Sequence, residues 1–291
     1  MHHILIGTDS RGKYFEDFLN QNNPFPDNWS VHIDVGPGRT VKWVSQSILE
    51  KVKNLPVTSD SNIVVMIAGG ICNLTKKTNL TTGGYMLTYD VSNSQSMTTL
   101  QTEIKQAVHD FMDYNVVLKF ATIPPISLFN VANFYSHNFS EPEINLIQYQ
   151  QQKLESDIGL INSFIMSVNN LHNVRTVRWD KDLIKRSLKR KGTNRRLHKC
   201  VKYTYGNLCD GVYPYINLSK LWFDVLCDSV VKDLPACDIV HEADVVCDSV
   251  VKVLPASDAV DEVEEDNDVI QVIEQIEVVE EFEEEKDAGL N

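Results

Sequence analysis

Residues 1–232 alternate between short apolar runs and longer stretches in which apolar residues recur every three or four positions. A short apolar run predicts a buried strand, whereas the longer spacing predicts an amphipathic helix. Strands are predicted at residues 4–6, 31–35, 62–68, 115–123 and 175–179. Helices are predicted at residues 14–19, 41–52, 97–114 and 143–170, and a Thr-, Asn-, Gly- and Ser-rich loop at residues 74–96.

This order of elements predicts an α/β domain. Strand, helix and strand at such intervals are typical of βαβ units, in which helices cover both faces of a mostly parallel sheet. A hydrophobic content of 43% in 291 residues is enough for one sizeable core of this kind. We therefore expect residues 1–232 to form a three-layer α/β/α sandwich that ends with one more helix.

The chain changes character after residue 232. Residues 233–291 hold 20 acidic and 2 basic side chains, so a strongly acidic tail follows a mildly basic body. The segment 225–236 recurs as 245–256, which indicates a local duplication of the last helix, since two copies are too few for a repeat architecture. We expect the tail to be largely disordered, although residues 269–282 could form a helix on a partner.

Export and a membrane span are not predicted. The first apolar run is too short for a signal peptide, and no apolar run reaches the length of about 18 residues that a spanning helix needs. Six cysteines without an export signal are typical of reduced thiols, so we expect an intracellular protein, cytoplasmic or nuclear. Because Cys-x-x-Cys spacing and nucleotide-binding glycine patterns are lacking, we predict no metal and no cofactor.

Four polar or glycine-rich segments follow predicted strands or precede the last helix. Open α/β sheets bind ligands at the carboxyl ends of their strands, so these segments are candidates for a site. They are Asp9-Ser10, Gly36 to Thr40, Gly69 to Asn73 and Asp210 to Tyr213. A serine at such a turn is a candidate nucleophile that needs a base. In the structural alternative, Asp9 or Ser10 caps the next helix, and Gly36-Pro37-Gly38 is merely a tight turn.

In the order and spacing of these segments, residues 1–232 resemble the SGNH (GDSL-like) hydrolases, especially SGNH-type proteins of animal genomes and mobile elements with a Gly-Ile-Cys block. The resemblance implies a flavodoxin-like sandwich and a serine esterase that acts on a small acyl ester. It assigns the nucleophile to Ser10, the oxyanion glycine to Gly38 or Gly36, the oxyanion asparagine to Asn73 and the triad aspartate to Asp210.

Three departures from the family pattern bear on activity. Thr8 is inserted before Asp9-Ser10, and Asn73 follows Gly70 by three residues where the family has two. Tyr213 occupies the position of the histidine base. A tyrosine side chain, with a reference pKa of about 10, is an inefficient base at neutral pH, and losing the base of a serine triad costs several powers of ten in rate. We therefore expect a degenerate triad that is weakly active or inactive, possessing the features of a pseudoenzyme.

Another residue could replace the missing base. The candidate histidines are His137, His172 and His198. His198 is closest in sequence to Asp210, and cationic neighbours would keep it neutral, although a histidine in a basic loop is more commonly solvated. Cys72, beside the candidate oxyanion asparagine, is interpreted as a small buried hydrophobe in preference to a second nucleophile.

A rival hypothesis starts from charge, because residues 181–202 contain ten Lys or Arg. It describes a non-catalytic α/β module that binds a nucleic acid or a protein through this basic segment and the acidic tail. The structural alternative is a solvated helix and loop that docks the tail, since opposite charges attract over about 10 Å at moderate salt. Aromatic residues for base stacking are sparse in the segment.

Overall fold

Helices and strands alternate along the part of the chain that the computed structural model describes, namely residues 2–56, 61–79, 84–89, 91, 95–134, 139–190 and 197–232. Of these, residues 185–190 and 197–202 are described as backbone. The strands are β1 (His2–Asp9), β2 (Trp29–Gly36), β3 (Ile63–Ala68), β4 (Lys76–Asn79), β5 (Tyr85–Thr88), β6 (Val116–Phe120), β7 (Ile184–Arg190) and β8 (Leu197–Tyr203). The helices are α1 (Phe15–Gln21), α2 (Val41–Lys53), α3 (Ile71–Leu74), α4 (Gln95–Phe111), α5 (Leu128–Phe134), α6 (Glu141–Leu171) and α7 (Ile216–Lys232).

Four parallel strands form the central sheet, in the order β2-β1-β3-β6. Strand β1 lies between β2 and β3, so that Gly7 pairs with Asp34 on one side and with Ile67 on the other. The carboxyl ends of β1, β2 and β3 therefore meet at one edge of the sheet. The predicted fold class, α/β with a mostly parallel sheet, is confirmed.

Helices cover both faces of this sheet, which gives the three predicted layers. On one face α2, α4 and α6 pack mainly through aliphatic side chains, among them Leu5 of β1 and Ile158 of α6. On the other face α1 and α7 pack through an aromatic cluster that includes Phe15. The rings of Trp179 and Trp222 stack in this second layer with their centroids 5.3 Å apart.

A close contact between α2 and β1 positions the edge where ligands would bind. A Cβ atom at Gly7 would lie 2.6 Å from the side chains of Val44 and Ile48, so glycine allows the helix to approach the strand directly. Thr40 caps this helix by accepting a hydrogen bond from the backbone amide of Trp43. The beginning of α2 is thereby held beside the end of β1.

The structure corrects the sequence-based elements at several points. The predicted strand at residues 175–179 is reduced to one parallel bridge between Ala121 and Val177. The chain leaves the sheet there because the Thr122 hydroxyl donates to the Asp180 carboxylate, at the start of a 3-10 helix. Residues 74–96, predicted as a loop, contain the β4–β5 hairpin, whose polar strand β4 lacks the alternation that sequence analysis needs. Helix α5 was not predicted.

The basic segment is a second correction. Strands β7 and β8 form an antiparallel two-stranded sheet of their own, in place of the expected helix and loop. Ile184, Val201 and Tyr203 are the β-branched and aromatic residues that favour strands here. In the register Lys185 is opposite Lys202, and His198 belongs to a strand and not to a loop.

The acidic tail, residues 233–291, lies outside the described residues. The domain boundary at residue 232, the disorder of the tail, the repeat copy at 245–256 and the helix at 269–282 therefore stay predictions. None of the described helices has the length and apolar content that a membrane crossing requires.

Candidate active site

Strand β1 ends in a tight 3-10 turn, Ser10–Gly12, that sends successive side chains to different places. The Asp9 carboxylate caps this turn, because its Oδ1 accepts from the backbone amide of Arg11 at 3.0 Å. Asp9 and Arg11 are each only 2% exposed, whereas Ser10 is half-buried. Of the two candidate caps, Asp9 and Ser10, it is therefore Asp9 that caps the turn. The Ser10 hydroxyl faces the cavity described next.

The turn is locked by an ion pair beneath the serine. Arg11 Nη2 lies 2.7 Å and Nε 3.0 Å from the two carboxylate oxygens of Asp9, and Nη1 donates to the carbonyl of Pro124 at 3.3 Å. Burial alone would lower the pKa of the Arg11 guanidinium, but the neighbouring Asp9 carboxylate outweighs burial and raises that pKa. The two side chains form a buried ion pair, and its hydrogen bonds fix the backbone on either side of Ser10.

Ser10 lines a cavity of about 400 Å³ at the carboxyl edge of the sheet. Its walls come from the ends of β1 and β2, from α3, from the β4–β5 hairpin and from the loop before α7. Among the lining residues are Ser10, Gly38, Cys72, Leu87 and Tyr213. The structure thus brings the candidate nucleophile, one candidate glycine and the tyrosine at the histidine position to one cavity.

The hydroxyl groups of Ser10 and Tyr213 face each other across 203 residues of sequence. Ser10 Oγ donates to Tyr213 Oη at 3.2 Å, which is longer than the usual hydroxyl bond of about 2.7 to 2.8 Å. No histidine side chain that the structure describes is hydrogen-bonded to Ser10. Of the alternative bases, His172 lines a different cavity beside β6, while His137 and the side chain of His198 lie outside what is described.

Asp210 shapes the loop that carries Tyr213. Its Oδ1 accepts from the backbone amides of Val212 at 3.0 Å and of Tyr213 at 2.8 Å. The next residue, Gly211, has φ of +90°, and a Cβ atom there would lie 2.7 Å from the carbonyl oxygen of Ser127. Only glycine fits this position, so the loop is seated tightly on the segment before α5. The hydrogen bonds of the Asp210 carboxylate in the structure go to its own loop and not to the phenol.

The two candidate oxyanion residues differ in placement. Gly38 lines the cavity with φ of +69° and open space where a Cβ would be, whereas a Cβ at Gly36 would collide with the Arg39 side chain. Asn73 uses both ends of its amide elsewhere. Its Oδ1 accepts from the backbone amide of Val41 at 3.0 Å, and its Nδ2 donates to Glu103 at 2.8 Å. The Asn73 side chain is thereby directed to the beginning of α2.

Cys72 lines the cavity as a protonated thiol. Burial, and after it the charge of Asp9, raises the pKa of the Cys72 thiol above its usual value. A thiol rather than a thiolate is a weak nucleophile. This agrees with the interpretation of Cys72 as a small hydrophobe.

Some residues of the site were missed by sequence analysis. Lys77, Tyr85 and Leu87 of the β4–β5 hairpin form one wall, and sequence analysis interpreted their segment as a loop. Lys13 Nζ lies 5.1 Å from the centroid of the Tyr213 ring. Lys13 follows Ser10 by three residues, and this spacing could have indicated from the sequence that Lys13 lies near the site. Among the described residues no cluster of three His, Cys, Asp or Glu could hold a metal ion.

Comparisons with known proteins give similar folds at low sequence identity. A member of the lipolytic protein G-D-S-L family from Veillonella parvula is 8% identical, with a TM-score of 0.46 over 80% of this chain and 98% of that one. A psychrotrophic esterase, EstA from Pseudoalteromonas, is 12% identical, with a TM-score of 0.41 over 79% and 97%. The OSK domain of Drosophila Oskar is 10% identical, with a TM-score of 0.39 over 77% and 86%.

Scans against protein-family models and against curated proteins give no match. Two of the three similar structures have names of lipolytic or esterase type. All three TM-scores lie below 0.5. We therefore argue function from the geometry of the site.

Proposed function

We propose that this chain is a serine ester hydrolase-like protein of SGNH type with a degenerate triad, which turns over small acyl esters weakly or not at all at neutral pH. The observation that carries the proposal is the contact between the hydroxyls of Ser10 and Tyr213. A phenol that faces the nucleophile in place of an imidazole fits the site of a serine hydrolase but slows proton removal.

The surroundings of Ser10 support an acyl ester as the ligand. The cavity walls contain apolar side chains from three elements, Ile71, Leu87 and Val212, which suit a short acyl group. In an attack by Ser10 Oγ on the ester carbonyl, the exposed backbone around Gly38 is the available place for oxyanion donors. The Asn73 amide would first have to leave Glu103 before it could contribute.

A fluorophosphonate probe, which labels activated serines, tests this proposal. We expect slow labelling of the wild type at neutral pH, none in Ser10→Ala, and unchanged labelling in Ser163→Ala, a control serine on α6. Tyr213→His should raise the rate, since general bases contribute roughly 10² to 10⁴-fold. Fast hydrolysis by the wild type that needs Ser10 but tolerates Tyr213→Phe would show that another residue is the base.

A second candidate function is binding of a nucleic acid or an acidic protein through the basic segment. The observation that favours it is the β7–β8 ribbon, which forms a separate sheet and places Lys185 opposite Lys202. A two-stranded ribbon has the dimensions to enter the major groove of a duplex. Lys185→Glu with Lys202→Glu should weaken duplex binding and flatten its salt dependence, whereas Lys42→Glu on α2 should have little effect.

An intracellular location is also proposed. Cys72, Cys209 and Cys227 carry free thiols among the described residues. Such thiols persist in reducing compartments. Fractionation of cells that express a tagged chain would test the location.

A further inference from the structure

Lys13 belongs to the same turn as the candidate nucleophile. It follows Ser10 by three residues and directly follows the 3-10 helix, with helical backbone angles. Its ammonium group lies near two aromatic rings, with Nζ 4.7 Å from the centroid of Tyr14 and 5.1 Å from the centroid of Tyr213. Because the Tyr213 hydroxyl meets Ser10, a cation, a phenol and a serine hydroxyl follow one another in space.

The other charged groups at this cavity are already paired or lie elsewhere. The Arg11 guanidinium is neutralised by Asp9 through direct hydrogen bonds. The Asp210 carboxylate, which lies in the same loop as Tyr213, accepts from two backbone amides. Lys77 lines the wall made by the hairpin, with Nζ 4.3 Å from the centroid of the Tyr85 ring.

Among the described residues no carboxylate forms an ion pair with Lys13 or with Lys77, but Lys13 is the one of the two whose ammonium group lies over the Tyr213 ring. A cation near a phenol favours the charged phenolate over the neutral form. The phenolate is the form that can accept a proton from a serine.

We propose that Lys13 and Tyr213 together form the base for Ser10, with Lys13 as a positioning and charge-stabilising residue that does not itself touch the substrate. This inference rests on the proposed function and deepens it. The Tyr213 phenolate, formed by loss of its proton to solvent, accepts the Ser10 proton. At the same time Ser10 Oγ bonds to the ester carbonyl carbon and the carbonyl electron pair moves to oxygen.

The remaining steps use the same groups. When the carbonyl re-forms, the bond to the leaving alkoxide breaks, and the alkoxide takes the proton from the Tyr213 hydroxyl. The acyl group is then held by Ser10, and Tyr213 is again a phenolate. Water attacks the acyl-serine while Tyr213 accepts its proton, and that proton passes to Ser10 Oγ as the acid leaves. Lys13 takes no part in these proton transfers.

The proposed base of Lys13 and Tyr213, called the relay below, predicts an unusual pH dependence. Because a phenol must ionise before it can act, the rate should rise towards alkaline pH, whereas an imidazole base would give its plateau near neutrality. The effect of Lys13 should be modest, since it acts through solvent. A unit charge at about 6 Å in water changes an ionisation equilibrium by roughly threefold, and salt reduces that effect.

The test is the rate of Ser10 labelling by a fluorophosphonate probe from about pH 7 to pH 10, at low and at high salt. The variants are Lys13→Met, which keeps the apolar stem, Lys13→Arg, which keeps the charge, and Tyr213→Phe. Lys42→Met is the control for loss of a cation that does not line the cavity. We expect Tyr213→Phe to abolish the alkaline rise. Lys13→Met should lower the rate along the rise by roughly threefold, and this deficit should shrink at high salt. Lys13→Arg and Lys42→Met should follow the wild type.

Two outcomes would overturn the relay and leave the proposed function standing. One is Ser10-dependent labelling in which Lys13→Met matches the wild type at every pH. The other is a wild type that stays unlabelled up to alkaline pH while Tyr213→His is labelled at Ser10. If neither the folded wild type nor folded Tyr213→His is labelled by the probe, both the relay and the proposed function are wrong.

Discussion

Two buried carboxylates belong to the two segments that meet at the hydroxyl pair of Ser10 and Tyr213, and they are held in different ways. Asp9 lies beneath Ser10 and is bound by a charged guanidinium, Arg11. Asp210 lies in the loop opposite and is bound by two backbone amides of its own turn. Both are buried, at 2% and 6% exposure, and both have good hydrogen-bond geometry.

The contrast bears on the degenerate triad that we propose. In a serine triad the carboxylate accepts a hydrogen bond from the imidazole and orients it. Here neither carboxylate is hydrogen-bonded to the hydroxyl pair of Ser10 and Tyr213, since the bonds of Asp9 and Asp210 go to Arg11 and to backbone amides. Both carboxylates instead hold the backbone in place. This arrangement supports the proposed degenerate triad, in which no carboxylate would orient the base.

The largest effect should come from Arg11→Met. The substitution leaves the Asp9 carboxylate buried without its cation, and breaking a buried pair in this way costs about 3 to 5 kcal/mol. Urea denaturation followed by circular dichroism would measure the loss. In a double-mutant cycle, Asp9→Asn should recover part of it in the Arg11→Met background. A loss below 1 kcal/mol would mean that water reaches the pair and that the scaffold is weaker than described.

Gly211→Ala should have the next largest effect. A side chain at φ of +90° is strained, and its Cβ would press on the Ser127 carbonyl, so we expect a cost of about 2 to 3 kcal/mol together with a displaced Tyr213. The matched control is Gly159→Ala on α6, where a Cβ atom would lie in open space. This substitution should stabilise the helix by about 0.5 to 1 kcal/mol. Equal effects of the two changes would contradict the seating of the loop.

The Asp210 carboxylate gives a sharper comparison. Asp210→Ala removes the acceptor of two amides and should cost about 2 kcal/mol. Asp210→Asn keeps an oxygen in that place, so both stability and Ser10 labelling should stay close to the wild type. A working triad would behave otherwise, because there the same exchange lowers turnover by about 10⁴-fold. A large loss of labelling in Asp210→Asn would restore the aspartate to a catalytic role.

The smallest effect should come from Cys72→Ala. A half-buried thiol with a raised pKa is a poor nucleophile, so its removal should change Ser10 labelling by less than about twofold. Alkylation of the folded chain at neutral pH should be slow at this residue and become fast on unfolding. A fall in labelling that Cys72→Ser does not restore would point to an active role for sulfur.

Sequence analysis placed the candidate residues on the fold more accurately than it predicted their contacts. Apolar runs and glycine-rich turns identified the parallel strands, and the order of motifs placed Ser10, Gly38 and Tyr213 at one edge. The direction of the Asn73 amide could not be predicted from the sequence, because it depends on Glu103, thirty positions away on α4. An arginine is usually exposed, so the burial of Arg11 could not be anticipated from its residue type.

The strands of the basic segment were not predicted, for a different reason. Charged residues interrupt the apolar alternation of β7 and β8, so the pattern that identifies half-buried strands is lost. The two strands pair with each other and not with the main sheet. The apolar pattern that identifies the strands of the core therefore does not identify these two.

The stacked tryptophans give the chain a built-in optical reporter. Trp179 donates its indole N–H to the carbonyl of Trp222 at 3.1 Å, so α7 is joined to the 3-10 helix at the point of stacking. These two rings and Trp29 are buried, whereas Trp43 on α2 is 68% exposed. Iodide should quench the emission of Trp43 alone while α7 is seated. Quenching of the blue-shifted emission would then signal that the helix following the Tyr213 loop has come away from the sheet.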